Sequence, residues 1–316
     1  MILEYILVNI SQVFLPNKMS IRCPSTRRRS RKKTSCLIRK TIEIIQDNYI
    51  LYHDEIEDSI NHATRNISIL NEPELSELLY DILNDYDKHF TFSPLVDDET
   101  QYDKKFFSKW LRTKIIESDI GVVRFHEFPD FGLTKQFVQK TLYDIPERKR
   151  KLLCEAILQS FEKIKSCDSI VFDLRRNNGG DDWVAILMLS FIFGERRHVN
   201  TNVFRNERRK QYTLSPNELR NLFGRNDIPL LNNKNIFVLI SRNTFSAAEL
   251  FTYILQTFGK AIVIGEQSGG GANGGEEFHV NKNMKIFTPY FYCENPITRD
   301  NWEKRGVRPD IQKKNI

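Results

Sequence analysis

The sequence predicts an α/β fold preceded by a small helical domain, on the basis of three observations. From residue 120 onward, short apolar runs rich in β-branched residues alternate with longer segments whose apolar residues recur at helical spacing. The N-terminal third shows helical spacing only. Residues 276–292 alternate in a way that is typical of a hairpin. Because strands that alternate with helices favour parallel pairing, the core is predicted to be a largely parallel sheet.

Three helices are predicted to form an N-terminal domain at residues 36–94. The first covers 37–50, the second lies near 53–68, and the third begins after Asn71, with Pro73 tolerated in its first turn. The apolar positions that mark the first and third helices are Ile38, Ile42, Ile45, Tyr49, Leu75, Leu78, Leu79, Ile82, Leu83 and Tyr86.

The α/β domain is predicted at residues 95–316. Its strands are predicted at 120–125, 169–174, 236–241 and 261–265, and its helices at 147–166, 183–193 and 247–258.

Basic charge is concentrated at the N-terminus. The chain has a net charge of +6, yet the first 40 residues contain ten Lys or Arg and only Glu4, which leaves −3 for the remainder. Residues 1–35 are predicted to be a disordered, solvated arm, with contact to nucleic acid or anionic lipid as the alternative. Since the body is slightly acidic, no nucleic-acid partner is expected for it.

No cofactor or metal is predicted. The five cysteines and six histidines are scattered, without C-x-x-C spacing and without two histidines on one helical face. The apolar residues 1–16 lack the leading basic residue and the cleavage site of a signal peptide, and they are few for a membrane span. The sequence does not determine the cellular compartment, nor whether Met1 or Met19 is the first residue of the protein.

Ser246 lies where a predicted strand meets a predicted helix. Backbone N–H groups are unpaired at such a junction and the helix dipole is positive, so an oxyanion is stabilised there. A serine placed there can attack a carbonyl group, but the segment taken alone favours a structural role. In that role, Ser246 and Glu249 fit a capping box that satisfies the first N–H groups of the helix.

Three further segments accompany this serine. Residues 173–180, DLRRNNGG, end a strand, and their paired glycines either point N–H groups into a cleft or simply form a tight turn. Residues 265–275 are rich in glycine but lack the Lys-Ser/Thr pair of a phosphate-binding loop. Residues 302–310 read WEKRGVRPD.

In this order, the four segments resemble the motifs of the tail-specific, or C-terminal processing, serine peptidases. The resemblance covers residues 169–311 closely and the helical domain at 37–92 more loosely. It implies a ClpP- or crotonase-like spiral of ββα units, with Ser246 as the nucleophile that forms an acyl-enzyme. Residues 92–120 are too few for the PDZ domain that many of these proteases carry.

The resemblance also indicates the branch of the family. Tail-specific proteases use a lysine beyond the serine, where this chain has Gly271, so the Ser-Lys dyad is missing. The branch similar to the tricorn core protease and interphotoreceptor retinoid-binding protein uses an upstream histidine instead. Residues 85–92, DYDKHFTF, supply His89, which is the predicted base. Phe90 departs from the threonine common there, and an ordinary histidine at a helix C-terminus is the alternative.

Glu303 is predicted to orient His89 by accepting a hydrogen bond from its second ring nitrogen, as the resemblance implies. The alternative is an exposed loop glutamate paired with Lys304 or Arg305.

The predicted oxyanion hole consists of the N–H groups of Ala247 and of the turn at Gly179 and Gly180. Asp173 and Arg175, by contrast, are predicted to be structural.

The sequence therefore predicts a serine-type peptidase that acts on peptide or protein substrates. The alternative is a catalytically inactive protein on the same fold that binds apolar small molecules or peptides, which the substitution at Phe90 favours. A nucleic-acid-binding protein driven by the basic arm is a third hypothesis. Oligomerisation and export, which the resemblance raises, stay open for this chain.

Overall fold

The computed structural model describes residues 31–65, 71–94, 102–117, 119–131 and 145–314. Most of the predicted basic arm lies outside these ranges, and the first helix already begins at Arg31.

Helices and strands alternate along most of the described chain. Its helices are α1 (Arg31–Asn48), α2 (Asp54–Thr64), α3 (Glu72–Asn84), α4 (Lys104–Trp110), α5 (Glu147–Ile164), α6 (Asp182–Phe193), α7 (Pro216–Phe223) and α8 (Ala247–Thr257). Its strands are β1 (Thr91–Pro94), β2 (Arg112–Ile116), β3 (Ile120–Arg124), β4 (Ser169–Asp173), β5 (His198–Val203), β6 (Arg208–Tyr212), β7 (Asn235–Ile240), β8 (Ala261–Gly265), β9 (Asn273–His279), β10 (Met284–Glu294) and β11 (Ile311–Gln312).

Six strands form a largely parallel sheet, as the sequence predicts. Their order is β11-β8-β7-β4-β3-β2, and only the edge strand β2 runs antiparallel to its neighbour. Its central strands are buried apolar runs, which is typical of a sheet covered on both faces. Because β4 and β7 are adjacent and parallel, the loops that follow them meet at the same edge of the sheet.

A second sheet is antiparallel and is organised around β10. Its order is β1-β10-β5-β6, and β9 also pairs with β10. The hairpin predicted at 276–292 is therefore present and longer than predicted. Strands β5 and β6 were not predicted, because their sequences HVNTNV and RRKQY carry few apolar residues.

The three N-terminal helices occur where the sequence predicts them. Helix α3 begins with a capping box, in which Asn71 Oδ1 accepts from the Glu74 N–H at 2.9 Å and the Glu74 carboxylate accepts from the Asn71 N–H at 3.0 Å. Pro73 lies in its first turn. None of the described helices is long and apolar enough to cross a lipid bilayer.

The helical region does not have a core of its own. Its buried side chains from α1 to α3 pack in one cluster with Val280, Met284 and Ile286 of the β9–β10 hairpin. Strand β1, which lies inside the predicted helical domain at 36–94, pairs with β10. The N-terminal helices and the second sheet are therefore one packing unit, which fixes the position of the segment after α3.

We expect Ile286→Ala to lower the free energy of unfolding by about 2–5 kcal/mol, because Ile286 is fully buried in this shared cluster. The matched control is Ile297→Ala, whose side chain is 53% exposed and which should change stability by less than about 0.5 kcal/mol. Chemical denaturation measures both, and amide exchange should accelerate in α1–α3 of the Ile286 variant. Unchanged exchange in these helices would contradict the shared core.

Candidate active site

Ser246 lies in a strained backbone conformation between β7 and α8. Its φ of 53° and ψ of −122° are rare for a residue with a side chain. The conformation is held by two contacts. Phe245 N–H donates to Asn177 O at 3.1 Å, and Ser246 N–H donates to the Glu249 carboxylate at 2.9 Å.

The Ser246 hydroxyl faces His89. Its Oγ lies 3.0 Å from His89 Nε2, which is hydrogen-bonding distance. The imidazole is only 7% exposed and packs against the Phe245 ring with centroids 4.6 Å apart. The capping box that the sequence allows is also present here, and its best-defined half is the Glu249 carboxylate, which accepts from the Ser246 N–H at 2.9 Å.

The turn after α3 positions His89. The helix ends at Asn84, and the His89 N–H donates to Asp87 Oδ1 at 2.9 Å. The other Asp87 oxygen accepts from Asn273 Nδ2 at 2.8 Å. Next to the histidine, Lys88 Nζ donates to Gly269 O at 2.6 Å, which ties this turn to the glycine-rich loop.

Two carboxylates lie behind the imidazole ring. His89 Nδ1 is 3.4 Å from Asp87 Oδ1, and ligand atoms of Asp87, His89 and Glu303 all lie within 4.8 Å of one another. Glu303 also accepts from the Ala272 N–H at 2.6 Å. The alternative predicted from sequence was an ion pair between Glu303 and Lys304 or Arg305. Arg305 instead forms an ion pair with Asp300, at 2.6 Å.

Asp87 was not singled out from the sequence as a site residue. The signal was available, because Asp87 stands two positions before His89 in the segment that carries the resemblance. Burial raises the pKa of Glu303 above its ordinary value, and the negative charge of Asp87 raises it further. Burial and the same two carboxylates also raise the pKa of Tyr49.

Glu249 joins the glycine-rich loop to the start of α8. Its fully buried carboxylate accepts from Ser246 N–H, from Gly270 N–H at 2.7 Å, from Gly271 N–H at 2.8 Å and from the Ser268 hydroxyl at 2.5 Å. Burial raises the pKa of Glu249, and these donors oppose that effect. One side chain therefore fixes the loop relative to the serine.

Gly271 occupies the place where a lysine stands in the tail-specific motif. A Cβ atom on Gly271 would lie 2.5 Å from His89 Cε1 and 2.3 Å from Phe245 Cζ. Any side chain here would collide with both rings. No side chain therefore fits at this position unless His89 or Phe245 moves.

Two backbone N–H groups, those of Ala247 and Gly180, donate no hydrogen bond within the described chain; Ala247 follows Ser246 directly, and Gly180 follows Gly179. The turn at Gly179 touches the serine, since a Cβ on Gly179 would lie 2.7 Å from Ser246 Cβ. Gly179 N–H, however, already donates to Asn177 Oδ1 at 3.0 Å. Gly180 has a φ of 119° and lies against Phe128 O, where a Cβ would come within 1.8 Å.

Asp173 and Arg175 are both buried. Arg175 donates twice to the Asp173 carboxylate, at 2.8 and 2.9 Å, and Arg124 pairs with the same carboxylate at 2.8 Å. Burial alone would raise the pKa of Asp173, but the two arginines hold it below its ordinary value. These residues brace the end of β4.

A cavity of about 1170 Å³ opens beside Ser246. Strands β5 and β6 supply part of its polar wall, where Gln211 Nε2 and Asn202 Nδ2 donate to Asp182 Oδ2 at 2.6 and 3.2 Å. Its aromatic lining residues are Trp183, Phe204, Tyr212, Phe287, Tyr290, Phe291 and Trp302. The volume suits several residues of an extended chain or a small apolar molecule.

Comparison with known proteins identifies the family. Residues 119–313, more than half of the chain, match peptidase family S41. The chain belongs to this family. The match includes Ser246, Glu303 and both glycine-rich segments, while His89 and Asp87 lie before it.

Solved structures share the fold of this S41 family member along nearly its whole length. A lipoprotein from Streptococcus agalactiae is 12% identical with a TM-score of 0.58, covering 94% of this chain and 95% of that one. A candidate peptidase from Parabacteroides merdae is 15% identical with a TM-score of 0.57, covering 90% of each chain. The tricorn protease is 13% identical with a TM-score of 0.54, covering 89% of this chain but 34% of its own.

The raised pKa of Glu303 makes stability depend on pH. A carboxyl group whose folded-state pKa is raised stabilises the fold at low pH and loses that contribution as pH rises through the folded-state value. Gln does not titrate. We therefore expect the free energy of unfolding of Glu303→Gln, relative to the native protein, to increase as pH rises above about 4, the ordinary pKa of glutamate.

Urea denaturation at a series of pH values measures this difference. Glu277→Gln is the control, because Glu277 is an exposed residue paired with Lys285 on the surface. A difference for Glu303→Gln that stays flat, or falls as pH rises, would contradict the burial argument.

Proposed function

We propose that this protein is a serine-type peptidase in which Ser246 is the nucleophile and His89 is the general base. The observation that carries the proposal is the 3.0 Å approach of His89 Nε2 to Ser246 Oγ in a chain of peptidase family S41. A nucleophile within hydrogen-bonding distance of a buried base is the arrangement that covalent catalysis requires.

The reaction begins with attack of Ser246 Oγ on the carbonyl carbon of the scissile bond, while Nε2 of His89 takes the hydroxyl proton. The tetrahedral intermediate collapses, the C–N bond breaks, and the amine leaves with the proton that Nε2 returns. Water then attacks the acyl-enzyme by the same route and releases the acid.

The oxyanion of the intermediate binds to the N–H groups of Ala247 and Gly180. Both flank the serine, and both are free of other acceptors within the described chain. The N-terminus of α8 adds a positive dipole at the same point. Each donor of this kind typically contributes about 3 kcal/mol to the stability of the transition state. Gly179 supports the turn instead, because Asn177 already accepts from its N–H.

Asp87 and Glu303 together stabilise the imidazolium form of His89. Asp87 Oδ1 is the nearer group to Nδ1, at 3.4 Å, and it is fixed by Asn273 and by the His89 backbone. The sequence analysis assigned this role to Glu303 only, and here Glu303 shares it with Asp87. The negative charge behind the ring favours the tautomer that carries its proton on Nδ1, without an aligned hydrogen bond, and this tautomer leaves Nε2 free to accept the serine proton.

The aromatic wall of the cavity supports a second candidate function, a catalytically inactive protein that binds apolar ligands. The cavity fits both functions. The short contact between His89 and Ser246 favours the peptidase, because ligand binding alone needs no nucleophile–base pair.

We expect Ser246→Ala and His89→Ala each to lower kcat by about 10⁴-fold or more on any peptide that the native protein cleaves, because both remove a partner of the same proton transfer. Mass spectrometry of a peptide library before and after incubation measures cleavage. The control is His279→Ala, which removes an exposed histidine on β9 and should leave kcat unchanged.

The outcomes separate the alternatives. Cleavage that persists in His89→Ala would mean that another group is the base. A native protein that cleaves none of the peptides but binds apolar molecules in the cavity would favour the binding function.

We expect Gly271→Ala to lower kcat by about 100-fold, because the new methyl group displaces the His89 ring from its contact with Ser246. The control is Gly259→Ala, where nothing lies within 4 Å of the added Cβ and only the positive φ of 62° adds strain. Full activity of Gly271→Ala would show that the ring tolerates displacement.

A further inference from the structure

The space behind His89 brings together three groups that bind transition metals. A ring nitrogen of His89, a carboxylate oxygen of Asp87 and a carboxylate oxygen of Glu303 all lie within 4.8 Å of one another, and the nitrogen that approaches Asp87, at 3.4 Å, is Nδ1. They come from the turn after α3 and from the loop after β10. This cluster could not be recognised from the sequence, because Glu303 is distant from His89 along the chain.

Two of these atoms are buried without a well-formed hydrogen bond. Within the described residues, His89 Nδ1 has no partner, and Glu303 Oε1 has only the Asn273 N–H nearby, outside hydrogen-bonding geometry. His89 Nδ1 approaches Asp87 Oδ1 to 3.4 Å, but the two are not aligned for a hydrogen bond. A buried polar atom without a partner is unfavourable, so this site favours an occupant that satisfies both atoms.

We propose that Asp87, His89 and Glu303 form a site for a divalent transition-metal ion, with Zn²⁺ as the best fit, and that the bound ion inhibits the peptidase. The binding half of this proposal stands on geometry alone. The inhibitory half rests on the proposed function of His89 as the general base.

The ligand set suits zinc. Zn²⁺ binds imidazole nitrogen and carboxylate oxygen at about 2.0–2.2 Å, so two ligands of a tetrahedral site lie about 3.3 Å apart. The observed 3.4 Å between His89 Nδ1 and Asp87 Oδ1 already matches that edge. Glu303, which is the partly exposed member, holds a carboxylate oxygen within 4.8 Å of the other two ligand atoms and is the third protein ligand. Ca²⁺ and Mg²⁺ prefer six or more oxygen ligands and fit less well.

The parts of the site are already held in place. Asn273 and the His89 N–H fix the Asp87 carboxylate, and Phe245 packs on the imidazole ring. Hydrogen bonds that orient the ligands strengthen metal binding. Two carboxylates close together also provide the negative charge that favours a divalent cation.

Inhibition follows from which nitrogen of the imidazole ring carries the proton. A neutral imidazole carries one N–H, and metal binding at Nδ1 uses that nitrogen's lone pair. The proton must then be on Nε2, the atom that faces Ser246 Oγ. An Nε2 that already carries a proton cannot accept one from the serine. The metal would therefore hold the wrong tautomer and leave the nucleophile and oxyanion donors unchanged.

The test is calorimetric titration of the full, untagged chain with Zn²⁺ after removal of metals by a chelator. Glu303→Gln and Asp87→Asn keep the shape of each side chain and remove one anionic ligand. The controls are His279→Ala and Cys36→Ser, which remove exposed groups that bind zinc weakly on the surface. Circular dichroism verifies that each variant is folded.

We expect one Zn²⁺ per chain in the native protein, and an affinity at least about tenfold lower in both carboxylate variants. Both controls should bind as the native protein does. Co²⁺ in the same site should give the visible absorption of a low-coordinate complex, which the Glu303 variant should lose. Equal Zn²⁺ affinity in the native protein and the carboxylate variants, or no binding beyond the surface level, would overturn the site.

The inhibitory half has its own readout. Peptide cleavage by the native protein should fall with Zn²⁺ at the concentration at which calorimetry shows binding, and a chelator should restore it. Saturated Zn²⁺ binding with full cleavage would overturn the inhibition and leave the site standing. If the metal-free protein cleaves nothing, the peptidase proposal fails, while the calorimetry still decides whether the site exists.

Discussion

The rest of the site depends on the buried carboxylate of Glu249. It accepts from the N–H of Ser246 and from the N–H groups of Gly270 and Gly271, so it links the strained serine turn to the glycine-rich loop. The loop in turn carries Ala272 and Asn273, whose N–H and amide groups bind Glu303 and Asp87. The position of the two carboxylates behind His89 is thus set through one side chain at the start of α8.

A second constraint brings the histidine to the serine. His89 follows α3, in a part of the chain far from Ser246, and its position depends on how the N-terminal helices pack against the β9–β10 hairpin. Strand β1, immediately after His89, pairs with β10 and anchors the segment on its other side. The proposed base is therefore held between a helix core and a sheet, which explains how a residue outside the family match can face Ser246.

Much of the fold could be predicted from sequence, because the central strands are buried apolar runs and the helices around them have regular apolar spacing. Strands β5 and β6 could not be predicted in this way. Their buried side chains include Asn200, Asn202 and Gln211, which hydrogen bond to one another. Such a polar cluster is stable only when tertiary packing supplies every partner, so it leaves no hydrophobic pattern.

The sequence by itself determined the α/β class, the turn that carries Ser246, and the absence of a lysine at Gly271, because these depend on local pattern and on motifs along the chain. Only the tertiary structure decided the rest. It placed Asp87 beside His89 and paired the Gly179 N–H with the Asn177 side chain. It also left the N–H groups of Ala247 and Gly180 without a hydrogen-bond partner among the described residues. The physical reason is that hydrogen-bond partners and shared burial arise between segments distant in sequence, and only packing brings them together.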